Sequence, residues 1–105
     1  MTRVIWKYEW GNRVKVQHNA DIISAGYDPE GTLCIWAIVD PNEPKDEEIE
    51  LYLIPTGHIM PSNRKLRFLN TVKSGPFIWH LFVEDRRDMT IFVPGERDVT
   101  PDKLL

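Results

Sequence analysis

Residues 21–40, DIISAGYDPEGTLCIWAIVD, carry the clearest structural signal in this chain. The segment DPEG at 28–31 has proline at its second position and glycine at its fourth, which is the pattern of a type I turn. On either side of it, residues 21–27 and 32–40 are mostly β-branched, aromatic or aliphatic, as is typical of strands. The sequence therefore predicts an antiparallel β-hairpin over residues 21–40.

Alternation of apolar and polar residues continues on both sides of this hairpin. Further strands are predicted at 4–10, 13–17, 50–54, 65–72, 76–84 and 89–93. Residues 65–84 form a second hairpin around the turn KSGP at 73–76. Residues 41–48 contain two prolines and a run of acids, so they are predicted to form an exposed loop. No segment keeps a helical period over about 12 residues, and one helical turn at most is expected near Thr100.

Short strands joined by hairpins define the predicted fold class. We predict an all-β fold, an antiparallel meander that forms a small barrel or a two-layer sandwich. The chain has 105 residues and a mass of 12.3 kDa, which suits one compact domain. We place that single β domain at residues 1–94 and a polar C-terminal tail at 95–105.

Composition excludes several classes of protein. The net charge of -3 and the pI near 5.5 give no general attraction to duplex nucleic acid or to a membrane surface. No apolar run approaches the roughly 20 residues that span a bilayer, and charges interrupt the N-terminal stretch where a signal peptide needs apolar residues. A single cysteine, Cys34, cannot form an internal disulfide. We therefore expect a cytoplasmic protein without membrane partners.

Motifs for catalysis or cofactor binding are not found in the sequence. The six glycines stand singly, so neither a phosphate-binding loop nor a dinucleotide-binding motif is present. Cys34 lies among apolar residues without a flanking base, so we expect a buried thiol with a raised pKa. His18, His58 and His80 are too widely spaced for the usual zinc motifs. The sequence predicts no catalytic residue, no metal and no cofactor.

Basic residues beside aromatic ones suggest how a small anionic ligand is held. Arginine binds phosphate through paired hydrogen bonds, indole rings stack on bases, and histidine titrates near neutral pH. The predicted ligand-binding residues are His58, Arg64, Arg67, Arg86, Arg87, Trp36, Trp79 and His80. The alternatives are that the arginines are solubilising surface charges, the tryptophans core residues and the histidines polar surface residues.

Two of the predicted strands are apolar on both faces. In 32–40, Leu33, Ile35, Ala37 and Val39 alternate with Cys34, Trp36 and Ile38, and in 76–84, Phe77, Trp79, Leu81 and Val83 alternate with Ile78 and Phe82. A strand that is half exposed to water usually alternates apolar with polar residues. The second face therefore needs a cover, from a symmetric partner or from residues 56–65 or the C-terminal tail. We predict a homo-oligomer, most simply a dimer.

Four short segments resemble a family of small phage and prophage proteins. They are IWKY at 5–8, LCIWAIVDP at 33–41, TGHIMP at 56–61 and FIWHLF at 77–82. The family pattern runs I-W-K-Y, L-W-A-x-V-D-P, G-T-G-H-x-I-P and V-W-H-V-F, in the same order over residues 5–83. Met60 stands where the family more often has a branched apolar residue. The resemblance implies a phage-encoded accessory protein in the cytoplasm of the bacterial host.

Three functions are compatible with these features. The first is a non-enzymatic binding protein that counters host defence, by sequestering a nucleotide-like signal or by blocking a host defence protein. The second is a small hydrolase that uses His58 and His80. The third is a structural or virion-associated protein.

Overall fold

The computed structural model describes residues 2–85, which form seven β-strands. The strands are β1 (Val4–Glu9), β2 (Arg13–Val16), β3 (Asp21–Tyr27), β4 (Leu33–Val39), β5 (Glu47–Pro55), β6 (Leu66–Ser74) and β7 (Phe77–Glu84). Several predictions fall outside the described residues: the strand at 89–93, the polar tail at 95–105, the helical turn near Thr100, and the roles of Arg86 and Arg87. In the described part of the chain, no helix is long and apolar enough to cross a bilayer.

The seven strands form two antiparallel sheets. One sheet has the order β1-β4-β3 and the other the order β2-β5-β7-β6. The predicted all-β fold is therefore confirmed. Of the two predicted forms it takes the sandwich, since residues 2–85 do not close into a barrel.

The hairpin predicted at 21–40 is present as β3 and β4. Its turn is closed by a hydrogen bond of 2.9 Å from the Gly31 amide to the Asp28 carbonyl. Gly31 has a φ of 85°, a conformation that costs glycine less than any other residue. The carboxylate of Asp28 also accepts hydrogen bonds from the amides of Glu30 and Thr32 at 3.0 and 2.9 Å. The turn is therefore fixed by one aspartate as well as by proline and glycine.

The start of β5 corrects the sequence prediction. The sequence predicts an exposed loop over residues 41–48, but Glu47 and Glu48 belong to β5, where they pair with Val16 and Lys15 of β2. The carboxylate of Glu47 also accepts a hydrogen bond from the Asn19 amide at 2.6 Å. Contacts from β2 and from the turn that follows it therefore offset the charge that disfavours a strand here.

The core lies between the two sheets. It consists of Val16, Ile22, Ala25, Ile35, Ala37, Val39, Leu51, Leu81 and Val83. The chain passes from the first sheet to the second at residues 10–12, so β1 and β2 are neighbouring edges that belong to different sheets. At the opposite side of the sandwich, β3 lies along β6. Both layers therefore leave an outer face towards solvent.

Candidate functional site

The outer face of the four-stranded sheet gathers several of the residues singled out from sequence. Leu81 and Val83 of β7 are buried in the core, so the alternate residues Ile78, His80 and Phe82 lie on the opposite face. Pairing with the neighbouring strands adds side chains beside them. These are Tyr52 and Ile54 from β5 and Phe68, Thr71 and Lys73 from β6. The result is a surface on which the aromatic side chains of Tyr52, Phe68 and Phe82 lie beside the polar pair His80 and Thr71.

Two phenylalanine side chains on this face contact each other. The rings of Phe68 and Phe82 pack edge to face, with their centroids 5.6 Å apart and their planes at 69°. Phe68 is nevertheless 55% exposed, and Ile78 on the same face is 39% exposed. Two exposed large apolar side chains beside the half-buried ring of Phe82 form an apolar patch, and such patches are typical of interaction surfaces when they are contiguous.

His80 is held by threonine hydroxyls on both sides. Its Nε2 lies 2.8 Å from Oγ1 of Thr56, and its Nδ1 lies 3.0 Å from Oγ1 of Thr71. A hydroxyl can donate or accept, so either neutral tautomer of the ring is satisfied. The contacts fix the orientation of the imidazole. They also occupy the two nitrogen atoms that a general base would use.

Two ion pairs lie at the border of this outer face. Arg13 contacts Glu50 at 3.5 Å, and Arg64 contacts Glu84 at 3.5 Å. The Tyr52 hydroxyl donates to Glu50 at 3.1 Å, and this hydrogen bond is the main reason that the pKa of Glu50 lies below its ordinary value. Burial raises the pKa of Tyr52, so its hydroxyl keeps its proton at neutral pH. The border is therefore polar and carries alternating charges.

The connection between β5 and β6 lies beside this face. The Thr56 amide donates to the Ile78 carbonyl at 3.2 Å, and Gly57 turns the chain with a φ of 92°. Beyond it, His58 and Met60 are exposed, and Ile59 is 95% exposed. The connection therefore carries two exposed apolar side chains, Ile59 and Met60.

The predicted ligand-binding residues are not gathered at one place. His80, Arg64 and the segment that carries His58 belong to the outer face just described, since Thr56 contacts His80 and Arg64 contacts Glu84. Trp79 packs against the core. It is adjacent to His80 on β7, and adjacent residues of a strand face opposite sides of the sheet. Trp36 pairs with Lys7 on the outer face of the three-stranded sheet.

Arg67 lies in a third place, between the sheets. It lines a cavity of about 220 Å³ together with Ile22, Ile49 and Val83. Its Nε is buried without a hydrogen-bond partner in the described structure and lies 4.0 Å from the Asp85 carboxylate. Arg64 therefore lies at the outer face, whereas Arg67, three residues later, lines the cavity between the sheets.

Cys34 occupies a buried polar corner instead of a reactive site. It is 2% exposed, and its Sγ lies 3.8 Å from Oδ2 of Asp28. Burial raises the pKa of the Cys34 thiol, as the sequence predicted, and the Asp28 carboxylate raises it further. Lys7 forms an ion pair with that carboxylate at 2.8 Å. Across residues 2–85, no group of three or more His, Cys, Asp and Glu side chains is placed to hold a metal ion.

Sequence reasoning missed a group of cations at the corner between β1 and β2. Lys7, Arg13 and Lys15 come from the two strands, and Lys45 comes from the loop that precedes β5. Lysines alternating with other residues along two short strands gave only a weak signal in the sequence. Nothing local places Lys45 beside them, because its Nζ reaches the ring of Tyr8 through tertiary contact.

Comparison with known proteins gives a family and no function. Residues 1–90 match the family described as a domain of unknown function (DUF7352), and the chain belongs to this family. No curated protein and no solved structure matches the chain.

Proposed function

We propose that this member of the DUF7352 family is a non-enzymatic binding protein that works as a homodimer. The observation that carries the proposal is the apolar outer face of the four-stranded sheet. Phe68 and Ile78 lie exposed there beside Phe82. Each large side chain left in water forgoes roughly 1.5–3 kcal/mol of burial. A partner that covers this face recovers that free energy.

A second copy of the chain fits the face in charge as well as in polarity. Protein interfaces usually have an apolar centre and a polar rim. The pairs Arg13–Glu50 and Arg64–Glu84 give this rim both signs of charge. A rim of mixed charge is complementary to itself when a two-fold axis brings two copies together. We therefore assign the face to the dimer contact.

The role of the dimer is to occupy a target without transforming it. The resemblance of residues 5–83 to small phage and prophage proteins supports a counter-defence role in the cytoplasm of the bacterial host. Two targets suit such a role: a nucleotide-like signal that is sequestered, and a host defence protein that is blocked. The capture of a nucleotide-like ligand is the form we put first, because a cationic groove exists at the corner between β1 and β2.

A hydrolase is the second candidate, and one contact favours it. Thr56 joins His80 to the connection that carries His58, so the two histidines lie on the same side of the molecule. In this arrangement, however, both ring nitrogens of His80 contact threonine hydroxyls. The arrangement supports a positional role for His80 better than proton transfer.

A thermal-shift screen against nucleotides and cyclic oligonucleotides tests the proposal. We expect one class of ligand to raise the melting temperature, and chromatography of the heat-released ligand to recover it unchanged. Recovery of a hydrolysed product would support the hydrolase and contradict the proposal. His80→Gln is the matched variant: binding should survive it, whereas turnover by a histidine would be abolished. A screen without any shift would direct the search to a host protein.

A further inference from the structure

We propose that the groove at the corner between β1 and β2 binds the phosphate groups of a nucleotide-like ligand. The groove has a volume of about 480 Å³, and we call it the corner groove. Its lining includes the cations Lys7, Arg13, Lys15 and Lys45 and the aromatic residues Tyr8 and Trp10. The inference rests on the proposed capture of a nucleotide-like ligand and assigns that capture to a site.

Topology explains why an opening exists here. β1 is an edge strand of one sheet and β2 is an edge strand of the other, so no ladder joins them. The chain turns between them at Trp10 and Gly11, and the Trp10 amide donates to the Leu33 carbonyl at 2.9 Å. Because this bond anchors the corner to β4, the parts of the groove wall that β1 and β2 supply are fixed by strands, and Lys45 is added from the loop before β5. A site built on strands is preorganised for a ligand.

Charge in the corner groove is strongly one-sided. Among the described residues, four cations line it, and Glu9 is the single acidic residue in the lining. Lys7 is engaged by Asp28 and Arg13 by Glu50. No ion pair joins Lys15 or Lys45 to any residue in the described range 2–85. Glu48 stands opposite Lys15 in the pairing of β2 with β5, but it does not line the groove. In a chain of net charge -3, two lysines that form no ion pair within residues 2–85 and line one groove make a local site for an anion.

Aromatic rings supply the second element of nucleotide chemistry. The Lys45 Nζ lies 5.9 Å from the centroid of the Tyr8 ring, within the range of a cation–π contact. The Tyr8 hydroxyl donates to the Gln17 side chain, which fixes the ring. Burial raises the pKa of Tyr8, so the phenol adds no negative charge near neutral pH. Trp10 is half-buried and packs against the core, which leaves part of its indole at the groove.

These features together favour a phosphorylated ligand with a planar ring. Lysine ammonium groups bind phosphate oxygens as point charges, and indole or phenol rings stack on bases. A free nucleotide and a single strand of nucleic acid share this chemistry, so the test includes both.

Isothermal titration of the full-length protein with ATP, a cyclic dinucleotide and a short oligothymidine tests the site. The variant is the double substitution Lys15→Gln and Lys45→Gln, which removes the two groove cations that form no ion pair within residues 2–85. We expect its affinity for the best probe to fall by roughly tenfold or more, since a charge-assisted contact to phosphate is stronger than a neutral one. Binding to the wild-type protein should also weaken as salt increases.

The control is Arg3→Gln, which removes one cation before β1, at the end of that strand away from the groove. Its affinity should stay within about twofold of wild type, because exposed charges beyond a Debye length of about 8 Å are screened at physiological salt.

Comparison of the probes distinguishes the two kinds of ligand. Tighter binding of ATP or of the cyclic dinucleotide indicates a free nucleotide, and tighter binding of the oligothymidine indicates a single strand of nucleic acid.

Two results would overturn the inference, and only one of them would also contradict the proposed capture of a nucleotide. Nucleotide binding that the double variant leaves unchanged would move the ligand to another surface and keep the proposed capture. No binding of any probe to the wild-type protein would remove both the groove site and the capture of nucleotides. The dimer is measured separately by mass, so its outcome is independent of both.

Discussion

The side-chain amide of Asn70 donates a hydrogen bond of 2.7 Å to the backbone carbonyl of Ala25, and this bond joins the two sheets. The pairing of β6 with β7 shifts register between Phe68 and Asn70, which indicates a β-bulge at this point. Such a bulge redirects a side chain. At Gly26, a Cβ would lie 3.3 Å from Nδ2 of Asn70, so glycine permits the close approach of β3 and β6.

Replacement of Asn70 by alanine should destabilise the fold. The Ala25 carbonyl then loses a partner in a part-buried position, at a cost of roughly 1–3 kcal/mol. Urea unfolding followed by far-UV circular dichroism measures the loss. Asn63→Ala, in the exposed connection between β5 and β6, is the control and should match wild type. Equal midpoints for Asn70→Ala and wild type would show that the bond does not hold the sheets together.

Acid should weaken the turn at residues 28–31. The Lys7 hydrogen bond, with help from the Thr32 amide, lowers the pKa of Asp28 from 3.8 to about 2. Because the folded state holds this proton less tightly than the unfolded chain, Asp28 stabilises the fold above pH 4. That stabilisation is lost as the pH falls from about 4 towards 2.

Asp28→Asn isolates this effect. We expect the variant to melt several degrees below wild type at pH 7, and the two melting temperatures to converge towards pH 2. Glu30→Gln, an exposed acid in the same turn, should follow wild type throughout. An Asp28→Asn variant as stable as wild type at pH 7 would contradict the role of the carboxylate.

The Cys34 thiol should be protected in the folded protein. Its burial and its raised pKa both reduce the thiolate that reacts with disulfide reagents. We expect slow reaction with a thiol-specific disulfide reagent near pH 8 and fast reaction in concentrated denaturant. Fast modification of the native protein would show that β4 opens readily at this position.

Local patterns predicted much of the fold, and tertiary contacts decided the rest. The DPEG turn and the apolar residues on both sides of it were enough to define β3 and β4. The start of β5 was not predictable in that way, because Glu47 and Glu48 depend on partners about thirty residues earlier, Val16 and Lys15.

The candidate site shows the same division between local and tertiary information. Alternation along β7 separates His80 from Trp79, since neighbours on a strand face opposite sides. The sequence pattern alone therefore places these two predicted ligand-binding residues on opposite faces, as the structure does. The sequence does not indicate the corner groove, because Lys45 lies beside the Tyr8 ring only in the folded chain.

Light scattering coupled to size exclusion, at micromolar concentration, tests most directly whether the outer face of the four-stranded sheet is a dimer contact. The variants Ile78→Glu and Phe82→Glu place a charge on that face, and Ile5→Glu places one on the exposed outer face of the other sheet, where Ile5 is 59% exposed. We predict twice the 12.3 kDa chain mass for wild type and for Ile5→Glu. We predict a folded monomer for Ile78→Glu and Phe82→Glu, with an unchanged β-sheet spectrum. A wild-type mass of one chain, or a dimer that survives both substitutions, would contradict the account.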